Sequence, residues 1–427
     1  MDDPTPATLW SMPPPANMRW RVALLLGAGV LVNYFDRVNL SVAHDALISR
    51  FGITDVTFGY LLSAYSWTYA GMQLPCGSLL DRFGVRRVML VAVVLWAVAS
   101  GLAAIAPTIL LLFAARLLLG IGEAPAFPAN AKAIGLWFAE RERSIPTAIF
   151  DAAAKLSIGI GTPVLGFVLL RYGLKTNFAT TAVLSLLYAG IFALVYRDPR
   201  AGEGAEPGFL AEVEARTVLL RDLLRQRKVL GAALGSGAYN YCFYLLLTWL
   251  PVYLERGVRL SMHNALLFSG LPWVVAAAAD FLIGGLLIDA LLRRGRNPDT
   301  VRRSVLLGGT ALGLLVIAPA FSHNATVVLF CLSVAMSGLA AAAPVVWTIP
   351  SLLAPAGGVG RVGSILNFTN QIAAIVAPVA TGYIRVSTHS FGAAFALAGV
   401  VLFFGLLSYI VLLGRIERVH LPGELTA

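Results

Sequence analysis

Gly77-Ser78-Leu79-Leu80-Asp81-Arg82-Phe83-Gly84-Val85-Arg86-Arg87 stands between two apolar runs, 56–80 and 86–106. Each run is long enough to cross a bilayer as a helix, which takes about 20 apolar residues. A short charged segment between two such helices is a turn at one membrane face, and its arginines choose the face, because Lys and Arg gather in cytoplasmic loops. A fainter copy of the pattern, Gly285-Leu286-Leu287-Ile288-Asp289 followed by Arg293 and Arg294, recurs in the second half of the chain.

Read outward from this turn, the sequence holds twelve candidate crossings: 20–46, 56–80, 86–106, 108–138, 144–170, 178–196, 229–254, 263–291, 302–321, 325–353, 360–385 and 391–414. With the N-terminus inside, most Lys and Arg fall on the cytoplasmic side; Arg37, Arg116, Lys132 and Lys155 fall within crossings. That asymmetry predicts both termini in the cytoplasm and an even number of crossings. The predicted organisation is a cytoplasmic tail 1–19, a six-helix bundle 20–196, a cytoplasmic linker 197–228, a second bundle 229–414 and a tail 415–427. The linker combines Pro199, Gly202, Gly204, Pro207 and Gly208 with a charged amphipathic piece around 210–227. Residues 1–18 lack the basic start and cleavage site of a secretory signal, so the apolar run from Val22 is expected to be a retained crossing.

Composition narrows the class. Of the 427 residues, 58% are hydrophobic and 13% charged, too little charge to cover a water-soluble surface of this size. The net charge of +10 lies in short clusters between apolar runs, with no basic stripe interleaved with aromatics, so nucleic acid is not an expected partner. Cys76, Cys242 and Cys331 all lie in apolar segments and form no CxxC pair, and neither a metal site nor a disulfide framework is read from them. There is no phosphate-binding loop, nucleophile elbow or metal-ligand cluster, and the histidines are scattered, so neither an enzyme nor a cofactor is expected.

The Gly77–Arg87 segment is similar to the loop signature of the major facilitator superfamily. Asn33-Tyr34-Phe35-Asp36-Arg37-Val38-Asn39, Gln73-Leu74-Pro75, the stretch from Arg116 through Gly120, Gly122, Glu123, Pro125 and Pro128, and Thr248-Trp249-Leu250-Pro251 resemble its anion:cation symporter branch. That branch includes sugar-acid transporters of the galactonate and glucarate type. The resemblance covers nearly the whole chain. It implies an all-α membrane protein of twelve helices in two pseudo-symmetric six-helix bundles, working by alternating access as a monomer in the cell inner membrane. Its partners would be a small organic anion, protons and lipid.

Charges inside crossings carry the chemistry, since each costs roughly 3 kcal/mol or more near the bilayer centre. Asp36 and Arg37 lie near the middle of the first crossing and point about 100° apart. Arg37, with a planar fork of donors, is the candidate anchor for a substrate carboxylate. Asp36 is a candidate proton site. Glu123, two turns beyond Arg116, is the second, a role the resemblance also implies. Arg116 reads equally as structural or functional, and Lys132 is expected to snorkel to the interface. Pro125 and Pro128 should weaken the helix ladder after Glu123 and free carbonyls.

Lys155 and Asp280 sit at matching depths from the cytoplasmic ends of the fifth and eighth crossings. The family fold places those helices face to face between the halves, which pairs the two side chains. Asp151 competes for Lys155 at i,i+4 spacing. Lys155 reads equally as half of an interdomain gate, as a second carboxylate anchor or as part of a static pair. Asp81, Arg82, Arg86 and Arg87 read as a gating latch on helix ends.

Tyr69 and Gln73 share a face of the second crossing with Tyr65 and are candidate substrate contacts. Asn367, which matches a family binding position, shares a face with Asn370 and Gln371. Trp347 is a further candidate; where sugar-acid members place hydroxyl residues just before it, this chain has Pro344 and Val346, which favours a smaller or more apolar acid. The expected function is proton-coupled import of a small carboxylate, whether sugar acid, hydroxy acid or aromatic acid. An anion exchanger, a proton-driven exporter and a transporter-derived nutrient sensor are the alternatives.

Overall fold

A computed structural model describes residues 16–138, 142–199, 220–355 and 358–419. Most of the predicted linker, the first part of the N-terminal tail and the end of the C-terminal tail lie outside the described residues. The described chain is helical throughout: α1 Ala16–Val42, α2 His44–Phe51, α3 Asp55–Ile105, α4 Ile109–Glu123, α5 Ala126–Trp137, α6 Ser144–Val195, α7 Leu220–Leu224, α8 Arg227–Val252, α9 Met262–Ser269, α10 Leu271–Ala279, α11 Ile288–Arg293, α12 Pro298–Gly313, α13 Ala325–Leu353, α14 Val359–Thr388 and α15 Gly392–Ser408.

α3 and α6 are each two crossings. They reverse at Gly84 (φ 77°, ψ 166°) and Gly173 (φ 82°, ψ 175°), conformations open essentially to glycine. The arginine-rich turn is therefore tighter than its sequence suggests: helix runs up to Gly84 on one side and away from it on the other. α4 and α5 are one crossing broken at Ala124–Pro125. Pro128 has no N–H to offer the carbonyl of Ala124, so the ladder opens where the two prolines predict. α10 passes into a wide π-helical stretch, Asp280–Leu287, before α11. π stretches also follow α8, at Tyr253–Gly257, and α15, at Tyr409–Leu413, and a 3₁₀ stretch, Leu314–Ala320, follows α12.

With α3 and α6 counted twice, α4 and α5 as one, and α9 to α11 as one, the path makes twelve crossings, six before residue 200 and six after 226. Among the described residues, eight helices are long and apolar enough to span a bilayer by length and composition; α1 and α8, which carry many of the polar groups described below, are not among them. Large apolar side chains such as Leu110, Leu194 and Phe330 stand exposed around the outside, as a lipid-facing surface requires. The halves meet closely where α6 passes the turn between α9 and α10. A Cβ on Gly270 would stand 2.1 Å from the carbonyl oxygen of Gly159, so only a glycine permits that approach.

Candidate functional site

One buried charge cluster lies within the N-terminal half, and a second, with a cavity beside it, joins the two halves. In the first cluster, Arg37 Nε donates to Glu123 Oε2 at 3.0 Å, with both side chains sealed from solvent. The guanidinium lies over the rings of Tyr34, Tyr65 and Tyr69, at 4.4, 4.7 and 5.4 Å from their centroids. Stacked cations of this kind gain about 0.5–2 kcal/mol per ring. Arg37 Nη2 and Glu123 Oε1 have no hydrogen-bond partner. The pair thus keeps one free donor and one free acceptor inside an aromatic cage, an arrangement that costs stability unless something else uses it.

Asp36 turns the other way. Its carboxylate accepts from Ser100, in the second arm of α3, and from Ser185 of α6 at 3.2 Å, all within the N-terminal half. Arg116 donates to the main-chain oxygen of Asp36 at 3.2 Å and so braces α1 rather than pairing with a carboxylate. Neither serine was singled out from sequence, because nothing in a Ser within an apolar run distinguishes a carboxylate partner from an ordinary helix–helix contact.

In the second cluster, Lys155 Nζ lies 2.6 Å from Asp151 Oδ2 and 2.6 Å from Asp280 Oδ2. Both partners anticipated for Lys155 are engaged at once. Asp151 and Lys155 line a cavity of about 110 Å³, together with Tyr34, Tyr239, Tyr244 and Trp347. Arg37 is not on its wall; Tyr34 and Tyr244 stand on that wall instead, and Tyr34 is one of the rings beneath the guanidinium.

The polar lining comes mainly from the C-terminal half. Ser236 Oγ lies 2.7 Å from the side-chain amide of Asn370, and Asn240 donates to the Ser236 carbonyl at 3.1 Å. Asn367 Nδ2 donates to Gln73 Oε1 at 2.9 Å across the halves, and Gln73 in turn donates to the freed carbonyl of Ala124 at 3.5 Å. Two sequence candidates therefore bind each other here. Tyr69 is buried against Arg37, and Trp347 is half exposed at the cavity. Ser236 and Asn240 are lining residues that sequence reasoning missed. They share a helical face at i,i+4 spacing, the one signal that could have found them.

The turn residues find partners within their own half. Lys132 Nζ reaches Asp81 Oδ1 at 2.5 Å and the Leu80 carbonyl at 3.0 Å, and Arg86 donates to the Ala193 carbonyl at 2.9 Å. Arg82 lies over Phe83. Arg82 and Arg87 stand exposed.

The opposite face is shut. Arg256 and Arg385, from the C-terminal half, pair with Asp45 at 2.5 Å and Asp55 at 2.9 Å. His44 joins the two carboxylates, at 2.6 Å from Asp45 and 2.8 Å from Asp55. Beneath them Trp249 donates to the Pro378 carbonyl at 3.2 Å, Ser41 to the Thr248 carbonyl at 2.6 Å, and Trp249 packs on His44 and Phe58. These are the contacts that must part for that face to open.

Asp45, on the connecting helix α2, is held below its ordinary value of 3.8 by its hydrogen bond with His44 and the nearby cations, against its burial. For Asp55, at the first residue of α3, burial pushes upward, but His44 and Arg385 pull it below 3.8. Carboxylates lowered in this way stabilise the closed face above their ordinary value and lose that contribution as pH falls through the lowered one. Spin labels across this face are therefore expected to report one closed distance through the neutral and mildly acidic range, and widening only below the ordinary carboxylate value. Asp55→Arg or Arg385→Asp alone should widen it at neutral pH, and the double exchange should close it again.

Residues 26–378 match the family model described as Major Facilitator Superfamily. The chain is 35% identical over 420 residues, 95% of its length and 97% of the relative's, to "Uncharacterized transporter YybO" of Bacillus subtilis (strain 168). It is 30% identical over 432 residues, 96% of its length and 94% of the relative's, to "Probable galactarate/D-glucarate transporter GudP" of the same organism. In three dimensions it is similar to a bacterial homologue of the human lysosomal transporter Spinster, in an inward-facing and occupied conformation, with a TM-score of 0.73, 17% identity, and coverage of 93% of this chain and 97% of that one.

Proposed function

Because this chain belongs to the major facilitator superfamily, and so is a multi-pass membrane transporter rather than an enzyme, we propose that it imports a sugar acid together with protons. The observation that carries the reading is the buried Arg37–Glu123 pair with its unpartnered Nη2 and Oε1. A proton on Glu123 removes the charge that holds Arg37 and leaves the guanidinium fork for a carboxylate, so proton and anion enter together. Anion without proton would place a second negative charge beside Glu123 in a medium of low dielectric, which is strongly unfavourable.

The arginine-rich turn faces the cytoplasm under the positive-inside rule, with both termini on that side. The face closed by Arg256–Asp45 and Arg385–Asp55 is then the outer one, and the structure is the state that exchanges substrate with the cytoplasm. Asp36, held by Ser100 and Ser185, sets the position of its neighbour Arg37 and takes a proton when the helices around it shift. The turn from Asp81 to Arg87 engages the other half when the inner face closes. The sugar-acid reading is supported by the galactarate/D-glucarate relative and by the cavity's polar side: Ser236, Asn240, Asn367 and Asn370 supply the donors and acceptors that Pro344 and Val346 withhold.

The test is uptake of D-glucarate into proteoliposomes holding the purified protein, with a proton gradient directed inward. Accumulation above equilibrium is expected for the wild type. Glu123→Gln should retain D-glucarate exchange but lose gradient-driven accumulation. Accumulation that ignores the proton gradient and follows an internal counter-anion would replace import by exchange.

A further inference from the structure

The charge buried at the Lys155 cluster does not balance. One ammonium meets two carboxylates, Asp151 and Asp280, at 2.6 Å each. Asp280 is 1% exposed and Lys155 3%. No further cation reaches them among the described residues. α8 contributes the phenols of Tyr239 and Tyr244 and α1 that of Tyr34, none of them a cation. α13 packs Ala341 and Pro344 against the π stretch at Gly284, and α11 carries its nearest acid, Asp289, nine residues beyond Asp280. With every group ionised the cluster holds one net negative charge. An uncompensated buried charge is so unfavourable that the group takes up a proton instead.

Two details mark Asp280 as the group that would take it up. Asp280 Oδ1 has no hydrogen-bond donor although it is sealed from solvent, whereas Oδ2 is bound by Lys155. Asp280 also opens the π-helical stretch Asp280–Leu287, a backbone widening found most often at functional positions. Lys155, unlike Arg37, stands on the cavity wall, where an arriving carboxylate would meet it directly.

We propose that Asp151, Lys155 and Asp280 form a second proton-binding site of the transport cycle, in which one proton on Asp280 releases Lys155 to hold a carboxylate of the substrate. The proposal rests on the proton-coupled import reading and adds a site to it. The proton comes from the outer solution to the Asp280 carboxylate, and the Lys155–Asp280 bond breaks while Lys155 stays charged and bound to Asp151. Lys155 Nζ then takes the substrate carboxylate. On the cytoplasmic side the substrate leaves, the Asp280 carboxyl passes its proton by way of Asp151, which lines the cavity, to cavity water, and Lys155 returns to Asp280, the arrangement seen here. Because Lys155 and Asp280 belong to different halves, each exchange makes or breaks a bond between the bundles. With Arg37 the protein then offers two cationic anchors, which suits a substrate bearing a carboxylate at each end.

The test reads protons without substrate. Infrared difference spectra of the full chain in liposomes, taken as pH is lowered through the neutral range, should show the stretch of a protonated carboxyl appear in the wild type. Asp280→Asn and Asp151→Asn each leave Lys155 with one carboxylate, a balanced pair, so each should remove this cluster's part of that signal and leave only the part that Asp36 and Glu123 supply. A signal from this cluster should survive in Asp36→Asn/Glu123→Gln. The two single variants lie in different halves, so either one that elutes as a monodisperse species decides the question. A signal unchanged in them, or missing from the Asp36→Asn/Glu123→Gln protein, would overturn the proposal. Loss of gradient-driven D-glucarate uptake in that protein with its carboxyl signal intact would keep the second site and bear on the Glu123 reading alone.

Discussion

Arg37→Lys is expected to lower the initial rate of D-glucarate uptake by about a hundredfold or more, with little change in folding. Lysine keeps the charge and can still reach Glu123, so no buried carboxylate is left alone. What it loses is the fork. Arg37 uses Nε on Glu123 while Nη2 stays free, and its flat guanidinium lies over Tyr34, Tyr65 and Tyr69. An ammonium presents a point charge that cannot replace the two-pronged fork offered to the substrate carboxylate once Glu123 is protonated. Truncating one member of a buried charge pair costs about 2–5 kcal/mol of binding, and each 1.4 kcal/mol is tenfold. Uptake by Arg37→Lys at the wild-type rate would remove Arg37 from the substrate's path and leave Lys155 as the sole cationic anchor.

Lys155→Met should act on stability as well as transport. Removing the ammonium leaves Asp151 and Asp280 facing each other in a sealed site. Breaking a buried ion pair from one side typically costs about 3–5 kcal/mol, because the remaining charge is uncompensated. The apparent melting temperature in detergent should fall clearly. The triple variant Asp151→Asn/Lys155→Met/Asp280→Asn, which carries no charge, should recover most of that loss, since apolar or neutral replacements of a whole buried network are often nearly neutral. Neither protein should accumulate D-glucarate. A triple variant that regains transport along with stability would reduce the cluster to a structural pin between α6 and the π stretch after α10.

The number of crossings and the place of the arginine-rich turn were legible because each depends on local composition. An apolar run of sufficient length must cross, and Arg82, Arg86 and Arg87 must stay out of the hydrocarbon, whatever the rest of the chain does. The break after Glu123 was legible for the same reason: Pro128 removes a specific N–H from a specific carbonyl. Likewise Arg37, Glu123, Lys155 and Asp280 stand out in any reading of hydropathy, because ionisable groups at that depth are too costly to be incidental.

Partner choice was far less legible. Asp36 and Arg37 are adjacent in sequence, yet the first binds Ser100 and Ser185 inside one bundle while the second reaches Glu123 beside the cavity. Helical rotation separates them by about 100°, and their partners lie 64, 149 and 86 residues away in the chain. Asn367 and Gln73, 294 residues apart, bind each other across the halves. Hydropathy records that a side chain needs company; it carries no information on the rotation and depth of the helix that supplies it.

The amino-acid order alone thus settles that this protein crosses the membrane repeatedly, where its arginine-rich turn interrupts the crossings, and which charges in the oil require an explanation. Those properties follow from transfer free energies, which add up residue by residue along a single helix. Packing of the two bundles settles the rest: that Arg37 is caged by tyrosines and paired with Glu123, that Lys155 serves two aspartates at once, and that Asp45 and Asp55 close the opposite face against Arg256 and Arg385. Ion pairs act over a few ångströms between helices distant in the chain, so they come into existence only when the bundles pack.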